Sequence, residues 1–285
     1  MENLKQDVQA ALDAGAALGE IRVPQQNEEG TVPFVVVPAG YAVKDIEKLL
    51  LHPTRKRGNV TLLDASSFID YTKKHAITDT SAIYADVDYE AGRYGLVAVL
   101  NDHGTEHDYA MWGDFRASLT PMLSLEWKRW KGNNHKAMPQ ADFAAFIEDN
   151  LGDIATVDGM PTGSDMLNMA LAFQMNSDKR FKKVIDLQGG GTNLEFVDQA
   201  DEETTSKMQF FKRFTIGIPV FQGATDGYPI EARLKFRMNG GALSFWYELV
   251  RPDRVFKTAV SSEIAKIKEE TGLMVLFGVP SSAKE

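Results

Sequence analysis

Asn239-Gly240, set between two runs of alternating apolar and polar residues, constrains the 285-residue chain more than any other pair. Asn-Gly in that position is the strongest short-range hairpin signal, because both residues tolerate the positive φ of a tight turn. Counted outward from a loop of those two residues, Met238 faces Gly241, Phe236 faces Leu243, Leu234 faces Phe245 and Ala232 faces Tyr247. Successive side chains point to opposite sides of a strand, so these pairs form one apolar face that belongs on a core. The other face pairs Arg237 with Ala242, Lys235 with Ser244, Arg233 with Trp246 and Glu231 with Glu248. Three cations and a tryptophan thus gather on one side of a sheet.

The hydrophobic content, 44%, and the four tryptophans suit a chain that buries a substantial core. The net charge of -9 opposes indiscriminate binding to nucleic acid, whose affinity comes largely from neutralised phosphates, but leaves room for a local basic face. An acidic protein also suits a basic partner surface. There is no cysteine, which excludes disulfides, thiolate zinc sites and a cysteine nucleophile. The first residues, MENLKQDVQAALDAGAAL, read as a charged helix without the basic-then-apolar order of a signal peptide. No apolar run approaches the roughly 18 residues of a membrane helix. These features predict a cytosolic protein.

In chain order, a helix over 2–18 and a polar link lead to a short β-branched run at 34–37 and a helix at 43–51. A strand is predicted at 60–63, then a helix capped by Asp64 that runs to about His75. Strands at 81–87 and 94–100 form a hairpin, and 109–119 adds a third strand to this first sheet. A helical block follows at 124–131, 140–151 and 164–175, the last capped by Ser164. Trp127 and Trp130 share one helix face. Strands return at 182–187 and 193–197, flanking Gly189-Gly190-Gly191-Thr192, and at 211–221, 229–238 and 241–250. A helix from 252 or 253 to 270 stops at Gly272, and 273–277 is a last strand whose free edge suits pairing with another copy. The order implies an α+β fold: two antiparallel sheet regions, a central helical block and a C-terminal helix. The expected divisions are 1–33, 34–120, 121–178 and 179–285, with one continuous unit as the alternative.

Two constellations bear on chemistry. The first is the polar loop Asn101-Asp102-His103-Gly104, continuing to Glu106, His107 and Asp108. Asp102, His103, His107 and Asp108 are carboxylate and imidazole ligands of the kind a divalent metal takes, which admits a metal-dependent hydrolase or nuclease. Gly104 and the flanking strands argue against a helical HExxH arrangement. Asp86 and Asp88 lie at the far end of the hairpin from Asn101 and need not join that loop. The Gly189–191 run lacks the Lys-Ser/Thr and the helix start that a phosphate loop needs, so it reads as a turn. No other cofactor is expected. The second constellation is Arg233, Lys235 and Arg237, recurring at period two, with Trp246 beside them. Such a face can bind a single strand through phosphate contact and base stacking. The competing reading is a solvated outer face whose arginines pair with Glu231 and Glu248.

The stretches VTLLDASSFIDYTKKHA, AVLNDHG, LEWKRW, QADFAAFIEDNL, FTIGIPVFQG and ALSFWYELVRPD together carry a resemblance. Through them the chain, from about Val35 to Arg251, resembles the YfdQ-like proteins of tailed phages and prophages. Family members often carry Asp-Tyr-His where this chain has Asn101-Asp102-His103. The resemblance implies a phage-borne protein in the cytoplasm of the bacterial host. It supplies no catalytic residue. It implies an accessory protein, non-enzymatic and acting by binding. The expected partner is a host defence factor, a nucleic-acid-processing factor or a nucleic acid, and a homo-oligomer is compatible.

Overall fold

The structure is a computed structural model. It describes residues 50–104, 111–175, 179–186, 191–198, 205–239 and 242–281, together with Lys5, Gln6, Gln9, Ala10 and Gly15. The chain divides into a unit of Met1–Lys56 and a unit of Arg57–Glu285. The strand expected at 34–37 lies outside the described residues, as does most of the helices at 2–18 and 43–51. The second unit carries the sheets and helices that position the candidate sites.

Its first half holds β1 (Gly58–Leu62), α1 (Ala65–His75), β2 (Ala82–Asp88), β3 (Arg93–Val99) and β4 (Phe115–Leu119). Next come α2 (Leu125–Asn133), β5 (Met138–Pro139), α3 (Gln140–Asp149) and α4 (Gly163–Met175). The second half holds β6 (Lys179–Asp186), β7 (Gly191–Asp198), β8 (Thr205–Phe211), β9 (Arg213–Ile218), β10 (Tyr228–Asn239) and β11 (Ala242–Leu249). The last elements are α5 (Pro252–Thr271) and β12 (Met274–Phe277). The α+β class is as the sequence implies.

The first sheet has five strands rather than three, in the order β1-β4-β3-β2-β12. β2 and β3 form the predicted hairpin, but β1 pairs with β4, and β12 with β2, in parallel. The last strand therefore returns to the first sheet and becomes its edge. Of the strand expected over 109–119, Phe115–Leu119 form β4 and Met111–Asp114 are irregular, while 105–110 lie outside the described residues. Asp64 caps α1 as predicted, accepting from the Ser67 backbone N–H at 2.8 Å.

The second sheet runs β5-β11-β10-β9. Its hairpin register differs from the count above: Leu234 faces Tyr247, Phe236 faces Phe245 and Met238 faces Leu243. The pairing closes at Asn239 and Ala242 where the count from the loop has Met238 and Gly241, a shift of one residue. Moving a loop by one residue moves each partner by two, and two is the strand period, so both faces keep their composition. Lys235, not Arg233, now lies opposite Trp246, and Arg233 lies opposite Glu248. The expected 211–221 strand is split. Phe211 ends β8 in a third sheet, β6-β7-β8, and β9 starts at Arg213. Residues 187–190 and the acidic stretch 199–204 lie outside the described residues.

One continuous hydrophobic core joins the first two sheets. Trp130, fully buried, meets Phe146, Tyr247 and Phe214 at centroid distances of 5.0, 5.1 and 5.9 Å. Its indole N–H reaches Asp153 at 2.7 Å, and Tyr247 donates to the Trp130 carbonyl at 2.6 Å. Both α2 tryptophans are thus core, each large buried ring contributing about 1.5–3 kcal/mol. α4 is capped by Thr162 rather than Ser164. The Asp165 N–H donates to the Thr162 hydroxyl oxygen at 3.2 Å, and the Thr162 N–H donates to the Asp165 carboxylate at 2.9 Å.

Candidate nucleic-acid interface

Arg233, Lys235 and Arg237 are exposed on the outer face of β10, while Ala232 and Leu234 are buried beneath. β9 adds Arg213 directly opposite Arg233, a like-charge pair that a sheet does not choose for its own stability. Arg213 is held by Glu231 at 3.2 Å. Glu248 turns to other neighbours: its carboxylate accepts from the Trp246 indole at 3.4 Å and lies 3.9 Å from His135 Nδ1. Glu231 thus neutralises Arg213 on this same face, and Glu248 is engaged with Trp246 and His135. Among the described residues no ion pair forms with Arg233, Lys235 or Arg237. Trp246 is half-buried and stacks with no cation among the described residues. Sequence reasoning missed Arg213, whose place depends on which strand pairs with β10.

The polar loop occupies a different place. Asp102 and His103 lie beside the start of β2, where the Asp102 N–H reaches the Thr80 carbonyl at 2.7 Å. The Tyr84 hydroxyl donates to the Asp102 carboxylate at 2.7 Å, and this bond, with burial, raises the Tyr84 pKa. His103 Nδ1 accepts from the Met111 N–H at 3.1 Å. Arg116 borders the same hollow of about 490 Å³, donating to the carbonyls of Gly113 and Ser281, each at 2.6 Å. Asp86 and Asp88 do not join it; at the far end of β2 they pair with Arg93 at 3.4 and 3.3 Å. His107 and Asp108 lie outside the described residues. Among the described residues, no three His, Asp or Glu side chains gather to hold a metal.

A third locus was not foreseen. The N-terminus of α1, the 221–228 loop and α5 enclose about 300 Å³. Here the buried Tyr94 hydroxyl donates to Glu263. Burial lifts the Glu263 pKa, while the Tyr94 bond and Lys266 oppose the lift. Burial, then the Glu263 charge, lifts the Tyr94 phenol as well. The lining carries three carboxyl groups, Asp64, Asp226 and Glu263, and one cation, Lys266.

Among the described residues no helix is long and apolar enough to cross a membrane. No curated protein and no solved structure matches the chain. The model of DUF2303, described as an uncharacterized conserved protein, matches residues 6–280, and the chain belongs to that family.

Proposed function

We propose that the protein acts by binding rather than by catalysis, and that its ligand is nucleic acid held through its phosphates on the outer face of β9–β10–β11. One observation carries this reading. Arg233, Lys235 and Arg237 stand exposed in a row without an acid partner among the described residues, in a chain whose net charge is -9. At about 3.4 Å per residue, the row spans about 14 Å, room for several phosphates along one strand. Local cations attract a polyanion over short range even when the whole protein is acidic, since charges beyond about 10 Å are screened at moderate salt. In the setting implied by the phage resemblance, this is an accessory protein acting on DNA or RNA in the cytoplasm of an infected bacterium.

The test is fluorescence anisotropy with a labelled single-stranded oligonucleotide at low salt. The combined change Arg233→Gln, Lys235→Gln and Arg237→Gln should weaken binding by at least about ten-fold. Unchanged affinity in the variant, or no binding by the wild type, rejects the reading.

A second reading, a host defence or nucleic-acid-processing protein as partner, is favoured by β12. This strand ends the first sheet and exposes Met274, Leu276 and Phe277 along it. Strand addition at such an edge is a common mode of protein recognition. Replacing Leu276 and Phe277 by lysine should then release a host protein that copurifies with the wild type. Retention of that protein by the variant removes this reading.

A further inference from the structure

We propose that the cavity bounded by α1, the 221–228 loop and α5 is a binding site for a small organic cation, an amine or a guanidinium compound. Its lining shares no residue with the basic row on β10, so the inference goes beyond the reading of that face and does not depend on it. At about 300 Å³ the cavity stands at the lower end of the roughly 300–1,000 Å³ range of small-molecule sites. Two aromatic side chains line it, the buried Phe221 and the half-buried Tyr228. Tyr94 and Phe256 brace Phe221 edge-on at 5.2 and 5.7 Å. Aromatic rings of this kind attract a cation through their electron-rich faces.

The charge of the lining has the matching sign. Asp64 and Glu263 are half-buried, Asp226 is exposed, and the single cation, Lys266, is exposed. Among the described residues none of the three carboxyl groups forms an ion pair. Glu263 accepts from the Tyr94 hydroxyl, and Asp64 accepts from the Ser67 N–H and hydroxyl, each at 2.8 Å. These neutral donors orient both side chains without cancelling a charge. Burial works against ionised Glu263, and Lys266 favours it only from beyond ion-pair distance. A bound cation therefore supplies a counter-charge that the fold leaves out. Among the described residues the acids do not gather closely enough to hold a metal. Separated acceptors suit a ligand that carries its charge on several N–H donors, as an ammonium or a guanidinium does.

The test is isothermal titration calorimetry of the full chain at pH 7 with four probes of similar size: butylguanidinium, butylamine, the neutral butyramide and the anionic butyrate. At least one of the two cations should bind about ten-fold or more tightly than butyramide, and butyrate should be the weakest. Glu263→Gln keeps an oxygen for the Tyr94 hydroxyl and should weaken cation binding by about ten-fold. Asp226→Asn should weaken it as well, and Lys266→Gln should tighten it, because the two exposed charges act on the ligand with opposite sign. These two surface changes decide the matter even if Glu263→Gln fails to fold. Equal affinity for the cations and butyramide overturns the proposal, as does binding of no probe. Cation affinity that none of the three substitutions alters places the ligand elsewhere and overturns it too. Displacement of the bound cation by equimolar Mg²⁺ would make this a metal site and reject the organic ligand.

Discussion

Glu263 is a carboxylic acid that the fold favours in its neutral form. Burial is the largest cause of its raised pKa, and the Tyr94 hydroxyl only partly opposes it. A group that holds its proton more tightly in the folded chain adds stability in full below its unfolded pKa, about 4.3 for Glu. That contribution is lost as pH rises through the folded value. Glu263→Gln keeps an oxygen for the Tyr94 hydroxyl and removes the charge. Its melting temperature should exceed that of wild type at pH 8, with the gain shrinking towards pH 4. A difference that is constant across that range contradicts the assignment. Tyr247 tests the opposite face of the core. Tyr247→Phe leaves the buried Trp130 carbonyl without its donor and should cost about 1–2 kcal/mol in urea unfolding.

At the scale of elements, short-range chemistry was legible in the sequence and long-range pairing was not. Asp64 and Gly272 mark helix ends because a cap is a contact within a few residues. The faces of the β10–β11 hairpin survived an error of one residue in its loop because the strand period is two. β12 carried no such mark. Its partner β2 lies about 190 residues earlier, and a parallel pairing leaves no turn to read. The basic row was legible for the same periodic reason, but Arg213 joins it only because β9 pairs with β10. Thr162, with Asp165 three residues on, offers the capping chemistry of Ser164 two residues earlier and takes the α4 cap. Thr162→Ala should cost about 1 kcal/mol by urea unfolding, whereas Ser164→Ala, an exposed change inside the helix, should cost little.

For the whole unit from Arg57 onward, one core joins the first two sheets. Ile83 in the first sheet and Ile216 in the second are both fully buried within it. Ile83→Val and Ile216→Val should therefore each lower the midpoint of a single calorimetric transition, at about 0.5–1.5 kcal/mol apiece. Two transitions, each moved by only one substitution, would show the sheets to be independent. On this frame an acidic molecule presents a row of cations on one sheet face, and the account turns on what that row holds. The salt dependence of oligo-dT affinity tests it most directly. For a single strand, log K falls with log salt by about 0.7 per phosphate neutralised, so three cations account for about 2 units of slope. The account predicts that the Gln variant of Arg233, Lys235 and Arg237 loses about that much slope relative to wild type; identical slopes in the two proteins would contradict it.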